Sequence, residues 1–157
     1  MARNSCFFIG HREVSEEIYP ELKAAVEQHI TEYGVTEFIV GHYGGFDRLA
    51  ARAVIEAKKI HPEVTLTMLL PYHPVEQPIP TPAGFDSTYY PPDMERVPRR
   101  VAIVRANQYM VDHVDYLIAY AWHPASNAQQ LVKYAYHRSK EKELTITYIS
   151  NFGAGEA

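Results

Sequence analysis

The chain has 157 residues, of which 46% are hydrophobic and 22% charged, as expected for one soluble globular domain with its own core. Its formal net charge of −4 and pI of about 6.0 disfavour duplex nucleic acid and an anionic membrane surface as partners. Cys6 is the single cysteine, which excludes an intrachain disulfide and a multi-cysteine metal site. With no apolar signal region and no membrane-spanning run, we expect a cytoplasmic protein.

Apolar runs alternate with amphipathic segments, as strands and helices do when they follow one another. The runs predict five strands, at residues 6–9, 37–40, 66–70, 116–120 and 145–149. The amphipathic segments predict four helices, from Pro20 to before Gly34, from Arg48 to about Ile60, from about Val97 to Val111, and one capped by Ser126. This alternation favours a parallel five-stranded sheet of order 3-2-1-4-5 with helices on both faces. We therefore expect a single three-layer Rossmann-like α/β domain over residues 1–152 and a flexible tail at 153–157.

The segment 71–98 has a different composition. Seven of its first 22 residues are prolines, and Tyr89-Tyr90 stands among them, which predicts an irregular loop. A loop of this length within one domain is typically a lid, a binding surface or disordered. A surface for a protein partner would expose apolar side chains around Phe85, Tyr89 and Tyr90, whereas a loop folded onto the domain would bury them.

A glycine-rich loop, GHYGGFD at residues 41–47, joins the second predicted strand to the second predicted helix. Glycines let the main chain approach a ligand, and the first turn of a helix offers unpaired N–H groups at the positive end of its dipole. The pattern predicts a phosphate held by the N–H groups of Gly45 and Phe46. The alternative is that the glycines form only a turn and that Asp47 only caps the helix.

Other polar groups follow strands that end at the same edge of the predicted sheet. Gly10-His11-Arg12 comes after the first strand, and the turn at 122–127 comes after the fourth. Because the carboxyl ends of parallel strands meet at one edge, we expect these groups to converge with the glycine loop. Arg48 opposes the dipole of its helix, and a bound anion would compensate for this.

Histidines provide a second hypothesis for the same edge. Four of them follow a predicted strand by one to three residues: His11, His42, His73 and His123. Three imidazoles that converge there could hold zinc for a metal-dependent hydrolase. The alternative is that they are ordinary loop histidines, since the chain has no HExxH-type motif, and we assign no metal ligand. We expect His29, on the inward face of the first helix, to be a core histidine.

Several short motifs together resemble the SLOG superfamily, the Rossmann-like group of the DprA and Lonely-guy-type domains. The motifs are Gly10-His11-Arg12, GGFD at residues 44–47 followed by Leu49-Ala50, and Asn107, Met110, Val111 and Asp112 before the fourth strand. They are most similar to its small, stand-alone bacterial YpsA-like branch, and the resemblance extends over residues 6–149. It implies a nucleotide, or a nucleotide-derived molecule such as an ADP-ribose-like ligand, bound at the carboxyl edge of the sheet, often in a homo-oligomer with a sensory or regulatory role.

The resemblance and the edge geometry together give a set of ligand-binding residues. The second loop of the family is usually a Gly-Gly-Thr turn, and here Ser126-Asn127-Ala128 takes its place. Side-chain hydrogen bonds would then replace main-chain contacts, unless Ser126 is occupied as a helix cap. Asp47 or Asn127 would contact a ribose. The predicted set is Gly10, His11, Arg12, Gly41, Gly44, Gly45, Phe46, Asp47, Arg48, Arg105, Ser126 and Asn127.

Catalysis is left open by the same resemblance. Lonely-guy-type enzymes cleave the N-glycosidic bond of nucleoside monophosphates with a glutamate after the fourth strand and an arginine on the preceding helix. Arg105 takes the place of the arginine, with its register displaced by about one residue. The candidate positions for the glutamate hold Gln129, Gln130 and Leu131, and an amide cannot transfer a proton as a carboxylate does. We expect ligand binding without catalysis. The alternatives are such a hydrolase, a protein-interaction module with a vestigial pocket, and the histidine-based metal hydrolase.

Overall fold

The computed structural model describes residues 4–42 and 44–149, which form one parallel sheet with helices on both faces. The six strands are β1 (Ser5–Gly10), β2 (Glu37–Val40), β3 (Thr65–Leu69), β4 (Ser87–Tyr89), β5 (Tyr116–Tyr120) and β6 (Thr145–Tyr148). The four helices are α1 (Tyr19–Thr31), α2 (Gly45–Lys58), α3 (Ala102–His113) and α4 (Asn127–Arg138). The sheet order is β4-β3-β2-β1-β5-β6, and every pair of neighbours is parallel.

The alternation of side chains along the central strands divides the core into two halves. Phe8 of β1 packs in the half formed with α1 and α2, and Phe7 and Ile9 pack in the half formed with α3 and α4. Both faces of β1 are buried, and its sequence is therefore a continuous apolar run. Small residues of α2, such as Ala50 and Ala53, are fully buried and let that helix lie close to the sheet. The three-layer α/β architecture predicted from the sequence is therefore confirmed.

The predicted number of strands was wrong, because the sheet has six strands and not five. The additional strand, β4, lies inside the proline-rich segment and pairs with β3 at the edge of the sheet. Its three residues are too few to show a hydrophobic period, and the prolines around it suggest a loop. The five predicted strands keep their predicted relative order, and β4 is added outside β3.

The proline-rich segment is packed onto the domain. Tyr72, Tyr90 and Val97 pack against the core half of α3 and α4, and Met94 is buried there, while Phe85 packs against the other half. Short 3-10 turns over Met94–Arg96 and Arg99–Val101 lead into α3, which begins later than predicted, at Ala102. Of the three rings whose exposure would indicate a docking surface, Phe85 and Tyr90 pack against the core, whereas Tyr89 is 36% exposed.

His29 is a core histidine, as predicted. It is fully buried, its Nδ1–H donates to the carbonyl of Ala25 at 2.7 Å, and its ring packs edge-on against Tyr33 and Tyr116. Burial lowers the pKa of His29, so the ring is neutral near pH 7.

Some expectations fall outside the described residues. The predicted domain end at 152, the tail at 153–157 and Tyr43 of the glycine loop belong to this group. Among the helices of the described part of the chain, none has the length and apolar character needed to cross a membrane.

Candidate functional site

A cleft of about 580 Å³ opens at the carboxyl edge of the sheet, between the loops after β1 and β2 and the facing helices α3 and α4. Its apolar lining includes Ile9 and Leu69 from the strands, Ala106 from α3 and Leu131 from α4. A cleft of this volume over apolar side chains has the dimensions of a small-molecule site. The predicted residues that line it are Gly10, His11, Arg12, Gly41, Gly44, Asp47, Ser126 and Asn127.

The N–H groups assigned to a phosphate are used in another way. Gly45 donates its N–H to the carbonyl of Arg12 at 2.6 Å, and Phe46 donates to the carbonyl of His11 at 3.2 Å. The Phe46 ring is fully buried. Neither residue lines the cleft. These bonds connect the loop after β1 to the first turn of α2, so the main-chain phosphate contact predicted at Gly45 and Phe46 has to be reassigned.

The glycines allow these two loops to approach closely. A Cβ atom at Gly10 would lie 2.1 Å from the Phe46 ring, and one at Gly44 would lie 2.9 Å from the Cα atom of Arg12. At Gly45 it would lie 2.8 Å from the carbonyl oxygen of Arg12. No side chain fits at such distances, so packing between loops accounts for all three glycines. The consequence for the site is that the backbone of Arg12 is fixed at the rim of the cleft.

Arg12 is the one lysine or arginine that lines the cleft in the described part of the chain. The predicted cations Arg48 and Arg105 are exposed and do not line it. Burial and Asp112 raise the pKa of the lining residue Tyr134, and the charge of Arg105 only partly opposes this rise. Positive charge at the cleft is therefore concentrated at the end of β1.

Asp47 is not the N-cap of α2. The helix begins at Gly45 with Gly44 as its N-cap, which places Asp47 inside the first turn, where a carboxylate is favourable to the helix dipole. Its Oδ2 atom would lie 2.9 Å from a Cβ at Gly41, so the carboxylate stands over the end of β2 and lines the cleft. Among the described residues, it is the one carboxylate in the lining.

Ser126 is occupied as a helix cap, as its sequence pattern predicts. Its hydroxyl accepts the N–H of Gln129 at 3.0 Å and donates to the carbonyl of His123 at 2.8 Å. The side chain of Gln129 donates to the carbonyl of Ala121 and so braces the same turn. Asn127, the first residue of α4, lines the cleft and is exposed. Because Ser126 is occupied as the cap, Asn127 is the predicted side-chain donor that we assign to a ligand.

Four carboxamides on α3 and α4 are the main polar feature of the cleft, and sequence reasoning assigned only Asn127 of them to the site. Asn107 and Gln108 line it from α3, and Asn127 and Gln130 line it from α4. Asn127 and Gln130 are three residues apart, the spacing that places side chains on one face of a helix. This spacing is the signal that could have found them, although polar residues on a helix are solvated by default.

Tyr134 and Asp112 hold the wall of the cleft together. The Tyr134 hydroxyl donates to both carboxylate oxygens of Asp112 at 3.0 Å, and Asp112 pairs with Arg138 Nε at 2.8 Å. Burial and the hydrogen bond to Asp112 raise the pKa of Tyr134, so the phenol is neutral. Asp112, a motif residue of the family resemblance, therefore connects α3 to α4 and does not itself line the cleft.

The four histidines do not converge. His11 and His123 are in contact, with the N–H of His123 donating to His11 Nε2 at 3.2 Å, whereas His73 packs against Tyr90. Across residues 4–42 and 44–149, no three histidine, cysteine or acidic side chains assemble into a group that could hold a metal ion.

Comparison with solved structures identifies the fold. The chain superposes on DNA processing protein A from Helicobacter pylori, a protein with a single-stranded DNA binding mode, with a TM-score of 0.62 over 97% of this chain and 68% of that one. This chain has the fold of DNA processing protein A. The sequence identity is 14%, so the likeness concerns the fold. That protein belongs to the SLOG superfamily, and the Rossmann-like fold implied by the sequence resemblance is confirmed. No protein-family model and no curated protein matches the sequence.

The comparison corrects the expectation about nucleic acid. Net charge disfavoured duplex nucleic acid as a partner, yet DNA processing protein A, which has the same fold, binds single-stranded DNA. Net charge sums the whole surface, whereas binding depends on the potential of one groove. A net charge of −4 is therefore not a reason to set nucleic acid aside.

Proposed function

We propose that the chain binds a nucleotide or a nucleotide-derived small molecule in the cleft at the carboxyl edge of the sheet, in a sensory or regulatory role. The observation that carries the proposal is the polar lining. One cation, Arg12, follows β1, and four carboxamides of α3 and α4 line the cleft together with apolar side chains. A ligand that fits this lining has an anionic group at one end and a neutral, hydrogen-bonding ring at the other.

The anionic end would lie between Arg12 and the start of α4. Arginine pairs with phosphate through two parallel hydrogen bonds, and the N-terminal end of a helix attracts the same group. Asn127, at the first position of α4, adds a side-chain donor. This arrangement replaces the N–H groups of Gly45 and Phe46, which are already bonded to carbonyl oxygens.

The neutral end would lie between the two helices. A carboxamide both donates and accepts, so pairs of them can match the edge of a nucleobase. Asn107 of α3 and Gln130 of α4 would bond to such a ring, and the apolar side chains of Ala106 and Leu131 line the same cleft. Asp47, which lines the cleft from α2, can accept hydrogen bonds from ribose hydroxyls.

Binding without turnover is favoured by the same lining. Asp47 is the one carboxylate lining the described part of the cleft, and Gln130 lines it at a position where Lonely-guy-type enzymes carry their glutamate. A hydrolase of that type needs an acid beside the glycosidic bond. We therefore place the chain with ligand-binding members of the superfamily, in its YpsA-like branch, on the motifs at residues 10–12 and 44–47. The buried free thiol of Cys6 fits a reducing cytoplasm.

A second candidate function is single-stranded nucleic acid binding. It is favoured by the shared fold with DNA processing protein A and by Trp122, which is 41% exposed beside His11, a residue of the cleft. Exposed aromatic rings stack on unpaired bases. An oligothymidylate in the ligand panel distinguishes this function from binding of mononucleotides.

Thermal unfolding with adenine and guanine mononucleotides, ADP-ribose and oligothymidylate tests the proposal. A nucleotide at about 100 times its Kd stabilises the folded state by about 2.7 kcal/mol, or about 5–10 °C in Tm for a domain of this size. We expect this shift in the wild type and a smaller one in Gln130→Ala. The matched control is Gln28→Ala, a partly buried glutamine on α1 that does not line the cleft, with an unchanged shift. Equal shifts in both variants would remove the carboxamides from the site.

A further inference from the structure

Two histidines join the loops on either side of the cleft. His11, after β1, accepts at Nε2 the N–H of His123, which belongs to the loop between β5 and α4. Their ring centroids are 6.4 Å apart, and the His11 ring also packs edge-on against Tyr120 and Trp122. A ring nitrogen that accepts a hydrogen bond carries no proton. The contact therefore requires the neutral form of His11.

His123 organises its own loop through hydrogen bonds. Its Nδ1 accepts the N–H of Ala125 at 3.3 Å, and its carbonyl accepts the N–H and the hydroxyl of Ser126 at 3.2 and 2.8 Å. The loop leads directly into Asn127, so its conformation sets the position of the first turn of α4. Displacing His123 would move Ser126 and Asn127, the next cleft residues along the chain.

We propose that His11 and His123 form a pH-sensitive latch that holds the first turn of α4 in its ligand-binding position and releases it when His11 gains a proton. The inference rests on the proposed function, because it concerns regulation of the same cleft. On protonation, His11 Nε2 becomes an N–H donor that faces the N–H of His123, and two donors cannot bond to each other. The loop at 121–126 then loses its hydrogen bond to the loop that follows β1.

The groups around His11 set the pH at which the latch opens. Tyr120, Trp122 and His123 face it from β5 and the following loop, Arg12 adjoins it in sequence, and Asp47 lines the same cleft from α2. Burial lowers the pKa of His11, and the electrostatic effect of the neighbouring His123 lowers it further. The latch is consequently closed at pH 7 and opens below pH 6.5, the ordinary histidine value.

The latch can be tested in the ligand-free protein by amide hydrogen exchange. We expect the protection factor of the His123 N–H, corrected for the intrinsic rate, to fall at least tenfold between pH 7.5 and pH 5. In His11→Gln the amide oxygen accepts the same bond without titrating, so protection should persist at pH 5. A wild-type His123 N–H that stays protected while His11 titrates would overturn the latch, and this measurement does not depend on any variant.

Calorimetry with adenosine 5′-monophosphate tests whether the latch controls the cleft. Since one proton is coupled to binding, the wild-type Kd should rise up to about tenfold per pH unit below the pKa of His11. His11→Gln should lack this dependence, and titration of the ligand phosphate is common to both proteins. The same pH dependence in both would overturn the regulation and leave the proposed function standing. Loss of His123 protection without binding of any panel nucleotide would overturn the proposed function and support the latch alone.

Discussion

Replacing Arg12 by glutamine is expected to weaken nucleotide binding by about 10- to 100-fold, because a hydrogen bond to a charged group contributes about 1.5–3 kcal/mol. Arg12 is the cation that lines the cleft in the described part of the chain, so no neighbouring lysine or arginine of the lining replaces it. Its side chain is exposed, and glutamine keeps the Cβ and Cγ atoms that lie beside Gly44. Calorimetry with adenosine 5′-monophosphate measures the effect, with Tm as a check that the fold is unchanged.

Arg48→Gln is the matched control for this experiment. Arg48 is also exposed and follows the glycine loop closely, but it does not line the cleft, so its replacement should leave Kd within about twofold of the wild-type value. If the Arg48 variant loses binding and the Arg12 variant retains it, the ligand lies at the start of α2, as the sequence pattern suggested, and the site proposed between α3 and α4 is wrong.

Replacing Gly10 by alanine is expected to destabilise the fold by about 3 kcal/mol, the upper end of overpacking costs, because the new Cβ would overlap the buried Phe46 ring at 2.1 Å. For a domain of this size, such a loss lowers Tm by about 6–12 °C. Differential scanning calorimetry measures the change. Alanine at Gly45 should also destabilise the protein, since its Cβ meets a main-chain carbonyl that cannot move freely.

Gly41→Ala provides the comparison for Gly10→Ala. Its Cβ would meet only the carboxylate end of Asp47, at 2.9 Å, and a flexible side chain can rotate away. A loss of Tm below about 2 °C is expected, in line with a surface substitution. If Gly10→Ala were as mild as Gly41→Ala, the close packing of the two loops would not be what requires glycine there.

The layers of the fold could be predicted because their signals lie within single elements. The run at 6–9 is buried on both faces, and the alanines of α2 mark one face of a helix. β4 gave no such signal, because a three-residue edge strand among prolines has no period and depends on pairing with β3. The start of α2 was placed three residues late, since Gly45 is a poor helix former that tertiary hydrogen bonds hold in the first turn.

The location of the site could also be predicted, because parallel topology brings the carboxyl ends of the strands to one edge. The roles of individual groups could not. Whether the Gly45 N–H is free depends on the carbonyl of Arg12, which is distant in sequence and adjacent in the fold. Asn107 and Gln130 look like solvated helix residues until α3 and α4 are placed side by side.

Two-dimensional NMR of the ¹⁵N-labelled protein during titration with adenosine 5′-monophosphate tests the central claim most directly. The side-chain NH₂ resonances of Asn107, Asn127 and Gln130 should shift together with the backbone N–H of Arg12, and they should saturate with a single Kd. Signals of Gln28, away from the cleft, should not move. Two results would contradict ligand binding between α3 and α4. One is the absence of shifts up to millimolar nucleotide, and the other is a set of shifts confined to a second groove, which is lined by Tyr89, Tyr109 and His113.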